Sequence, residues 1–464
     1  MTMATLAEVA RDVGGALHGA DASFDSVSTD TRSLGPGQLF FALRGDRYDA
    51  SDFIADAAER GAAGAVVEQL AEVELSQIEV DDSRLALGAL ARAWRAHFDI
   101  PVIGITGSNG KTTVKELTAS IMRAVFAGQG NDAVLSTQGN LNNDIGLPLT
   151  LLRLRDFHQA AVVEMGANHP GEISMLADIA QNNIAVITNA ARAHLEGFGS
   201  LEEVARTKGG ILDPLTESGV AVLNRDDRFF NDWVKRIGSA SLSSFGTTPE
   251  ADFHYDNLRV NAAGTGFSFR MLTPQGEIDI SLPLAGKHNV LNALAAAAAA
   301  MAAGAAAEHV QAGLANSANV PGRLRAFSCS SGAVIYDDSY NANPDSVAAA
   351  IAFLEELPGE PWLVLGDMGE LGPDAAALHR GMGERARDAG IRKLFCTGEM
   401  SRETVSGFGQ GAHWFATLDQ LSDALLPELK SGRNVLIKGS RFMGLDRLVR
   451  QIEEPGSAVN GGGA

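Results

Sequence analysis

The chain of 464 residues has only two cysteines, Cys329 and Cys396, far apart and in no metal-like spacing. That scarcity excludes a disulfide scaffold or a cysteine-framed metal site and fits a reducing cytoplasm. Basic charge is also short: 37 Lys and Arg stand against 57 Asp and Glu, a formal net charge of -20. Nucleic-acid backbones need clustered cations, so no nucleic-acid partner is expected. An anionic small ligand needs only a local field and stays open. No basic segment followed by an apolar core opens the chain. Its most lipid-like run, residues 293–307 (ALAAAAAAMAAGAAA), is too short to cross a bilayer. It predicts a tightly packed internal helix and no integral membrane segment, and the chain is expected to be a cytoplasmic monomer.

What is present is ample apolar material, 45% of residues, in a chain too long for one core. Residues 1–98 carry a helix signal over 5–13 and a strand signal over 37–43, after a Gly-Pro-Gly turn. Over residues 99–320 apolar strands, such as 160–163, 184–187 and 220–223, alternate with helical stretches, which predicts a parallel sheet covered on both faces. Alternating segments within 252–284 interrupt that rhythm and suit an antiparallel hairpin, an insertion or side sheet. Residues 321–464 supply further strands in AVIYDDSY, PWLVLGDM, KLFCTG, HWFATL and NVLIKGS, hence a second α/β domain, followed by a Gly-rich tail expected to be disordered.

The most informative stretch is PVIGITGSNGKTT, residues 101–113, a buried strand running into a glycine-rich loop and a helix start. Gly107 and Gly110 let phosphate oxygens approach the amides of Ser108, Asn109 and their neighbours. Lys111 would reach the β- and γ-phosphates, and Thr112, beside Thr113, offers a hydroxyl to Mg²⁺. Ile105 holds the place of the first glycine, so this is an imperfect Walker A loop. It predicts a nucleotide enzyme.

Glu164 and His194 each follow an apolar strand, where parallel sheets present active groups. With Thr112 they could surround Mg²⁺, although nitrogen is an unusual ligand for so hard a cation. Lys208 in ARTKGGI poses a problem of sign, because an ammonium near magnesium is repelled. It is either an ordinary helix-surface lysine, farther away, or chemically altered. Carbamylation by CO₂ would give an anionic group with two oxygen ligands. Asn292 in GKHNVLNALA can offer donor and acceptor to a base edge, unless Asn289 simply caps the helix. In DDSYNANP, residues 337–344, Asp338 could hold a ribose, and Tyr340 and Asn341 could orient ligand oxygens. Arg323 stands at the proposed junction, placed to grip a transferring phosphate on domain closure.

Taken together, TGSNGKTT (106–113) and GKHNVLN (286–292) resemble the signatures of the Mur ligase family. TQGNLNNDIGLPLTLL (137–152), EMGANHPGEI (164–173), AHLEGFGS (193–200), DDSYNANP, LGDMGELG (365–372) and KGSR (438–441) resemble one branch of it. The resemblance runs through nearly the whole chain. It implies an α/β, three-domain architecture: an N-terminal UDP-substrate domain, a central ATPase domain and a C-terminal domain of dinucleotide-fold type. It implies roles for Lys111 on phosphate, for Thr112, Glu164, His194 and a carbamylated Lys208 on Mg²⁺, and for Asn289, Asn292, Arg323 and Asp338 around ATP. Ser28, Asp30 and Arg32 would serve the uridine nucleotide, and Asn140, Asn142, Asn143, Tyr340 and Asn341 the substrates.

The implied reaction is ATP-dependent joining of UDP-N-acetylmuramoyl-tripeptide to D-alanyl-D-alanine through an acyl phosphate. Addition of the third amino acid to a UDP-N-acetylmuramoyl-dipeptide is the alternative. Four positions at three places depart from the family pattern: Gly210 for a usual glutamate, Ala50-Ser51 for Gly-His, and Asp446 for glutamate.

Overall fold

The computed structural model describes residues 2–45, 49–261 and 265–454. The tail over 456–464 therefore lies outside the described residues, as does part of the GDRYDASDFI run. Near the N-terminus Thr5 caps the helix Leu6–Val13, its hydroxyl accepting from the Glu8 amide while the Glu8 carboxylate accepts from the Thr5 amide. The adjoining five-stranded sheet runs in the order Ala16–His18, Gln77–Glu79, Gly64–Val67, Gln38–Phe41, Ser26–Ser28. Only its first pair is antiparallel.

The central sheet is parallel throughout, in the order Ser241–Phe245, Val220–Asn224, Ile184–Ile187, Val102–Thr106, Ala160–Glu164, Val134–Ser136. Every residue of Val102–Thr106, Ala160–Glu164 and Ile184–Ile187 is buried, which is why these strands read as apolar runs rather than as alternation. Successive side chains point to opposite faces. Ile103 and Ile105 join one core with Val114, Leu117 and the alanines of 293–300; Val102, Ala161 and Val163 join another with Leu87, Leu176 and Val204. Through Leu87 the helix Ser83–Arg95 belongs to the second core as well, so the N-terminal region shares packing with the central sheet.

Two expectations change in detail. The alanine-rich run is not one helix over 293–307. His288–Ala302 ends ahead of Gly304, whose φ of +96° reverses the chain, and Ala307–Ala315 follows. The 252–284 insertion is a three-stranded antiparallel sheet, His254–Val260, Phe267–Thr273 and Gly276–Leu282.

The C-terminal sheet has six strands in the order Arg325–Ser328, Val334–Asp338, Arg433–Lys438, Glu360–Gly366, Lys393–Thr397, Ala412–Phe415. All pairs are parallel except the first. Sequence reasoning missed that antiparallel edge strand, since Arg325–Ser328 is only four residues long and its one apolar pair, Ala326-Phe327, is adjacent rather than alternating. Parallel order brings the carboxyl ends of three neighbouring strands, at Asp338, Lys438 and Gly366, to one edge of the sheet. Among the described residues no helix is long and apolar enough to cross a membrane.

The helix Lys111–Val125, which begins at the glycine-rich loop, is braced from behind by Ala307–Ala315. A Cβ on Gly313 would lie 2.4 Å from the Ile121 Cα, so only glycine allows this approach. Gly313→Val should force the helices apart and destabilise the protein by about 1–3 kcal/mol. A urea unfolding midpoint equal to that of the parent would contradict this bracing.

Candidate active site

The loop after Val102–Thr106 is held in a strained path. Gly107 has φ +148° and Gly110 φ +82°, and a Cβ on Gly107 would fall 1.9 Å from Thr188 Oγ1. Strand-end residues pin the loop. Thr188 Oγ1 donates to the Asn109 carbonyl at 2.6 Å, and Asn189 Oδ1 accepts from the Asn109 amide at 3.0 Å. Gly110 caps the helix Lys111–Val125 without any side-chain hydrogen bond. The first-turn amides thus keep the arrangement that favours an anion at a helix start. Lys111 folds back so that Nζ donates to the Gly107 carbonyl at 2.7 Å and the Ser108 carbonyl at 3.3 Å. Burial pushes its ammonium below the usual lysine range, Glu164 opposing and Arg323 assisting.

Glu164 closes its strand with 3% exposure. Its Oε1 accepts from Asn142 Nδ2 at 2.8 Å, while its buried Oε2 has no hydrogen-bond partner. A buried carboxylate oxygen without a donor is costly, and a cation is its natural complement. His194 adopts φ +55°, rare for a residue with a side chain, and its Nδ1 pairs with Glu370 of the C-terminal region. That contact leaves Nε2 for a ligand, the usual way a carboxylate orients a metal-binding imidazole. The hydrogen bond holds the Glu370 carboxyl below its ordinary range. Among the described residues no group of three or more His, Cys, Asp and Glu converges as a metal cage. A hard cation here would draw its remaining oxygens from hydroxyls, substrates or water.

Lys208 is the last residue of the helix Leu201–Lys208, and it is buried rather than on the helix surface. Its Nζ lies 5.6 Å from the Phe198 ring centroid. Burial first, and the neighbouring Lys111 charge second, push its pKa down to about 7 against the pull of Glu172 and Glu164. The glutamate usual two positions on would not fit: a Cβ on Gly210 meets Ser174 Oγ at 2.3 Å.

Asn289 does not cap its helix. Buried, it donates to the Ala285 carbonyl at 2.6 Å and accepts from Asn292 Nδ2 at 2.8 Å. Asn292 in turn sits against Gly110, where a Cβ would be 2.5 Å from its Oδ1. Arg323 donates to Thr112 Oγ1 at 3.2 Å and lies 4.0 Å from the Tyr340 ring centroid, with its buried Nε unpartnered. Asp338 receives Lys438 Nζ at 2.5 Å, and the Asn341 carbonyl accepts from the same ammonium at 3.0 Å.

Lys111, Glu164, His194, Asn289, Asn292, Arg323, Asp338, Tyr340 and Asn341 thus border one cleft of about 1030 Å³, together with Asn142 and Asn143. Lys208 is buried and is not part of that lining. Ser28, Asp30 and Arg32 are elsewhere: Asp30 and Arg32 form an exposed pair at 2.7 Å, and Ser28 Oγ donates to the Asp30 carbonyl. Asn140 is exposed and outside the cleft lining.

Sequence reasoning missed the links between regions. Asn343 Nδ2 donates to Asn109 Oδ1 at 2.8 Å while Asn343 Oδ1 caps the helix Pro344–Glu355; Asp345 accepts from the Arg192 amide at 2.7 Å. An Asn-Pro pair before a helical run is the capping signal that could have singled out Asn343.

A nucleotide-type loop in a polar cleft that residues of the N-terminal and C-terminal α/β regions also line has the arrangement of an enzyme site. Family models agree. The Mur ligase middle domain matches residues 105–300, the Mur ligase glutamate ligase domain 322–441, and the Mur ligase family catalytic domain 23–95. The UDP-N-acetylmuramoyl-tripeptide--D-alanyl-D-alanine ligase of Escherichia coli (strain K12) is 43% identical over 98% of this chain and 100% of its own length. That of Bacillus subtilis (strain 168) is 33% identical over 92% and 93%. Among solved structures, MurF from Acinetobacter baumannii superimposes with a TM-score of 0.89 at 32% identity, covering 96% of this chain and 98% of that one. MurF ligase from Thermotoga maritima in complex with ADP gives 0.81 at 26%, covering 92% and 97%. The chain belongs to the Mur ligase family.

The Lys208 shift has a sign in stability. The folded amine loses its proton near pH 7 and the unfolded one near 10.5, so between these values the unfolded chain binds more protons and stability rises with pH. Lys208→Met should flatten that rise, read as the difference in urea midpoint between pH 7 and pH 9 in CO₂-free buffer. An undiminished slope would refute the assignment.

Proposed function

We propose that this chain is an ATP-dependent ligase that joins UDP-N-acetylmuramoyl-tripeptide to D-alanyl-D-alanine in peptidoglycan precursor synthesis, acting as a cytoplasmic monomer with domains at 1–98, 99–320 and 321–464. The observation that carries this reading is the single cleft in which the glycine loop, Glu164 and His194 face Arg323 and Asp338. Near-full-length likeness to ligases of that printed name supports the substrates.

A carboxylate is a poor electrophile toward an amine. Its oxygen therefore attacks the γ-phosphorus of ATP, the bond to the bridging oxygen breaks, and ADP leaves with that electron pair. The amine of D-alanyl-D-alanine then adds to the acyl phosphate, and the tetrahedral intermediate expels phosphate to leave the amide. Lys111 and Arg323 neutralise charge on the moving phosphoryl group, so catalysis rests on position and electrostatics rather than a protein nucleophile. The loop residues Gly107, Ser108, Asn109, Gly110 and Thr113 cradle phosphates, and Asn289, Asn292 and Asp338 hold the base and ribose. Ser28, Asp30 and Arg32 serve the uridine nucleotide.

The unpartnered Glu164 Oε2 and the His194 nitrogen left by Glu370 fit a magnesium site completed by Thr112. Bound there, Mg²⁺ supplies further positive charge against the phosphates. Lys208 joins this set as a carbamate. Its lowered pKa favours the neutral amine, whose lone pair attacks CO₂ with loss of a proton, converting a repelled cation into an anionic ligand. Closure of the three domains excludes water from the acyl phosphate.

Lys111→Ala should abolish ligation in a protein with unchanged circular dichroism; near-normal ADP release by the folded variant would remove Lys111 from this role. Glu164→Gln and His194→Ala should each raise the Mg²⁺ concentration needed for half-maximal rate, and identical metal titrations would count against both ligands. Lys208→Ala should be nearly inactive, with partial rescue by a small carboxylic acid and none by a small amine. A ¹³C carbamate resonance from labelled CO₂ reports the modification directly. A panel of candidate amines separates this reading from the ligase that adds the third amino acid: only D-alanyl-D-alanine should stimulate phosphate release.

A further inference from the structure

Among the described residues five lysines and arginines border the cleft. Lys111 and Arg323 stand at the glycine loop, and Lys438 is held by Asp338. That leaves Arg441, beside Tyr340 in the C-terminal region, and Arg84, in the first turn of the helix Ser83–Arg95. Arg84 is the N-terminal region's contribution to the charged lining, and its Nη1 reaches Asp144 Oδ2 at 3.3 Å with side chains 44% and 35% exposed. An exposed pair at that distance contributes little to stability, so its partners exchange readily for a ligand. Of the cleft's other carboxylates, Asp338 pairs with Lys438, Asp345 with Arg192, Glu370 with His194 and Glu172 with the amides of Asn168 and His169, while Glu164, with its unpartnered Oε2, belongs to the cation site already described.

The donor peptide reacts through the α-carboxylate of its third residue, so that residue's side chain must lie in the cleft beside the phosphoryl-transfer point. Four carbon–carbon bonds of about 1.5 Å each carry the distal carbon of a lysine or a diaminopimelate away from the α-carbon. In lysine this carbon bears an ammonium alone. In diaminopimelate it bears an ammonium and a carboxylate. An Arg–Asp pair is the charge complement of the second: the guanidinium fork takes the carboxylate and Asp144 the ammonium. A lysine end would satisfy Asp144 and leave Arg84 without an anion.

Resting on the ligase reading above, we propose that Arg84 and Asp144 recognise the zwitterionic end of the third residue and set the enzyme's preference for the diaminopimelate-containing tripeptide over the lysine-containing one. The test measures kcat/KM for the two UDP-N-acetylmuramoyl-tripeptides with saturating ATP and D-alanyl-D-alanine. The parent enzyme should prefer diaminopimelate by about tenfold or more, the value of one charged hydrogen-bonded contact. Arg84→Gln should bring that ratio close to one, and Arg84→Lys, which keeps the charge but not the fork, should leave it intermediate. Asp144→Asn should lower kcat/KM for both, because both carry the ammonium. Equal use of the two tripeptides by the parent, or an R84Q variant that slows both with the ratio preserved, would overturn the proposal. Turnover of neither tripeptide would instead sink the ligase reading on which it rests.

Discussion

Everything in the cleft is organised around charge that the protein alone does not balance. Burial pushes both Lys111 and Lys208 below the usual lysine range, and the Lys111 charge pushes Lys208 further down, while Glu164 carries a buried oxygen with no donor. Water screens neither interaction fully at such depth. The arrangement is stable only because the surrounding sheet over-determines it: Glu164 and the glycine loop both hang from the carboxyl ends of adjacent parallel strands. In the proposed reaction phosphate oxygens would answer Lys111, a divalent cation would answer Glu164, and carbamylation would reverse the sign of Lys208. The site is thereby complementary to its reactants rather than to itself.

The second constraint is that the site is divided between regions. The phosphate-type loop and its helix are braced from behind by Gly313, and from the front by Asn343, whose side chain both caps a C-terminal helix and holds Asn109. His194 and Glu370 meet across the same junction, each with a positive φ that non-glycine residues rarely adopt. Strain at paired positions of this kind persists where the packing demands it. These contacts tie the C-terminal region directly to the glycine loop, so in the proposed reaction positioning of ATP and assembly of the reactive geometry would be one event.

Much of this was legible in the sequence, and the physical reasons differ by feature. Buried parallel strands announce themselves as apolar runs, and the glycines at 107 and 110 mark backbone angles and clearances that no other residue meets. The burial of Lys208 was not legible. A lysine at a helix end reads as solvated, and only the three-dimensional neighbourhood of Phe198 and Lys111 reveals otherwise. The edge strand Arg325–Ser328 and the break at Gly304 were missed because pairing partners and a single left-handed residue lie outside what periodicity reports. The interdomain contacts of Asn343, Asp345 and Glu370 join residues distant in the chain, and no local pattern encodes them. Asp30 and Arg32 were expected at a uridine nucleotide by resemblance alone, and they lie apart from the cleft, paired with each other.

The central claim is that the tripeptide carboxylate is phosphorylated before the amide forms. Tripeptide labelled with ¹⁸O in both oxygens of its terminal carboxylate, turned over with ATP and D-alanyl-D-alanine, tests it directly. The account predicts that each phosphate released carries one ¹⁸O and that the new amide retains the other. Phosphate free of the label, with amide still formed, would contradict it.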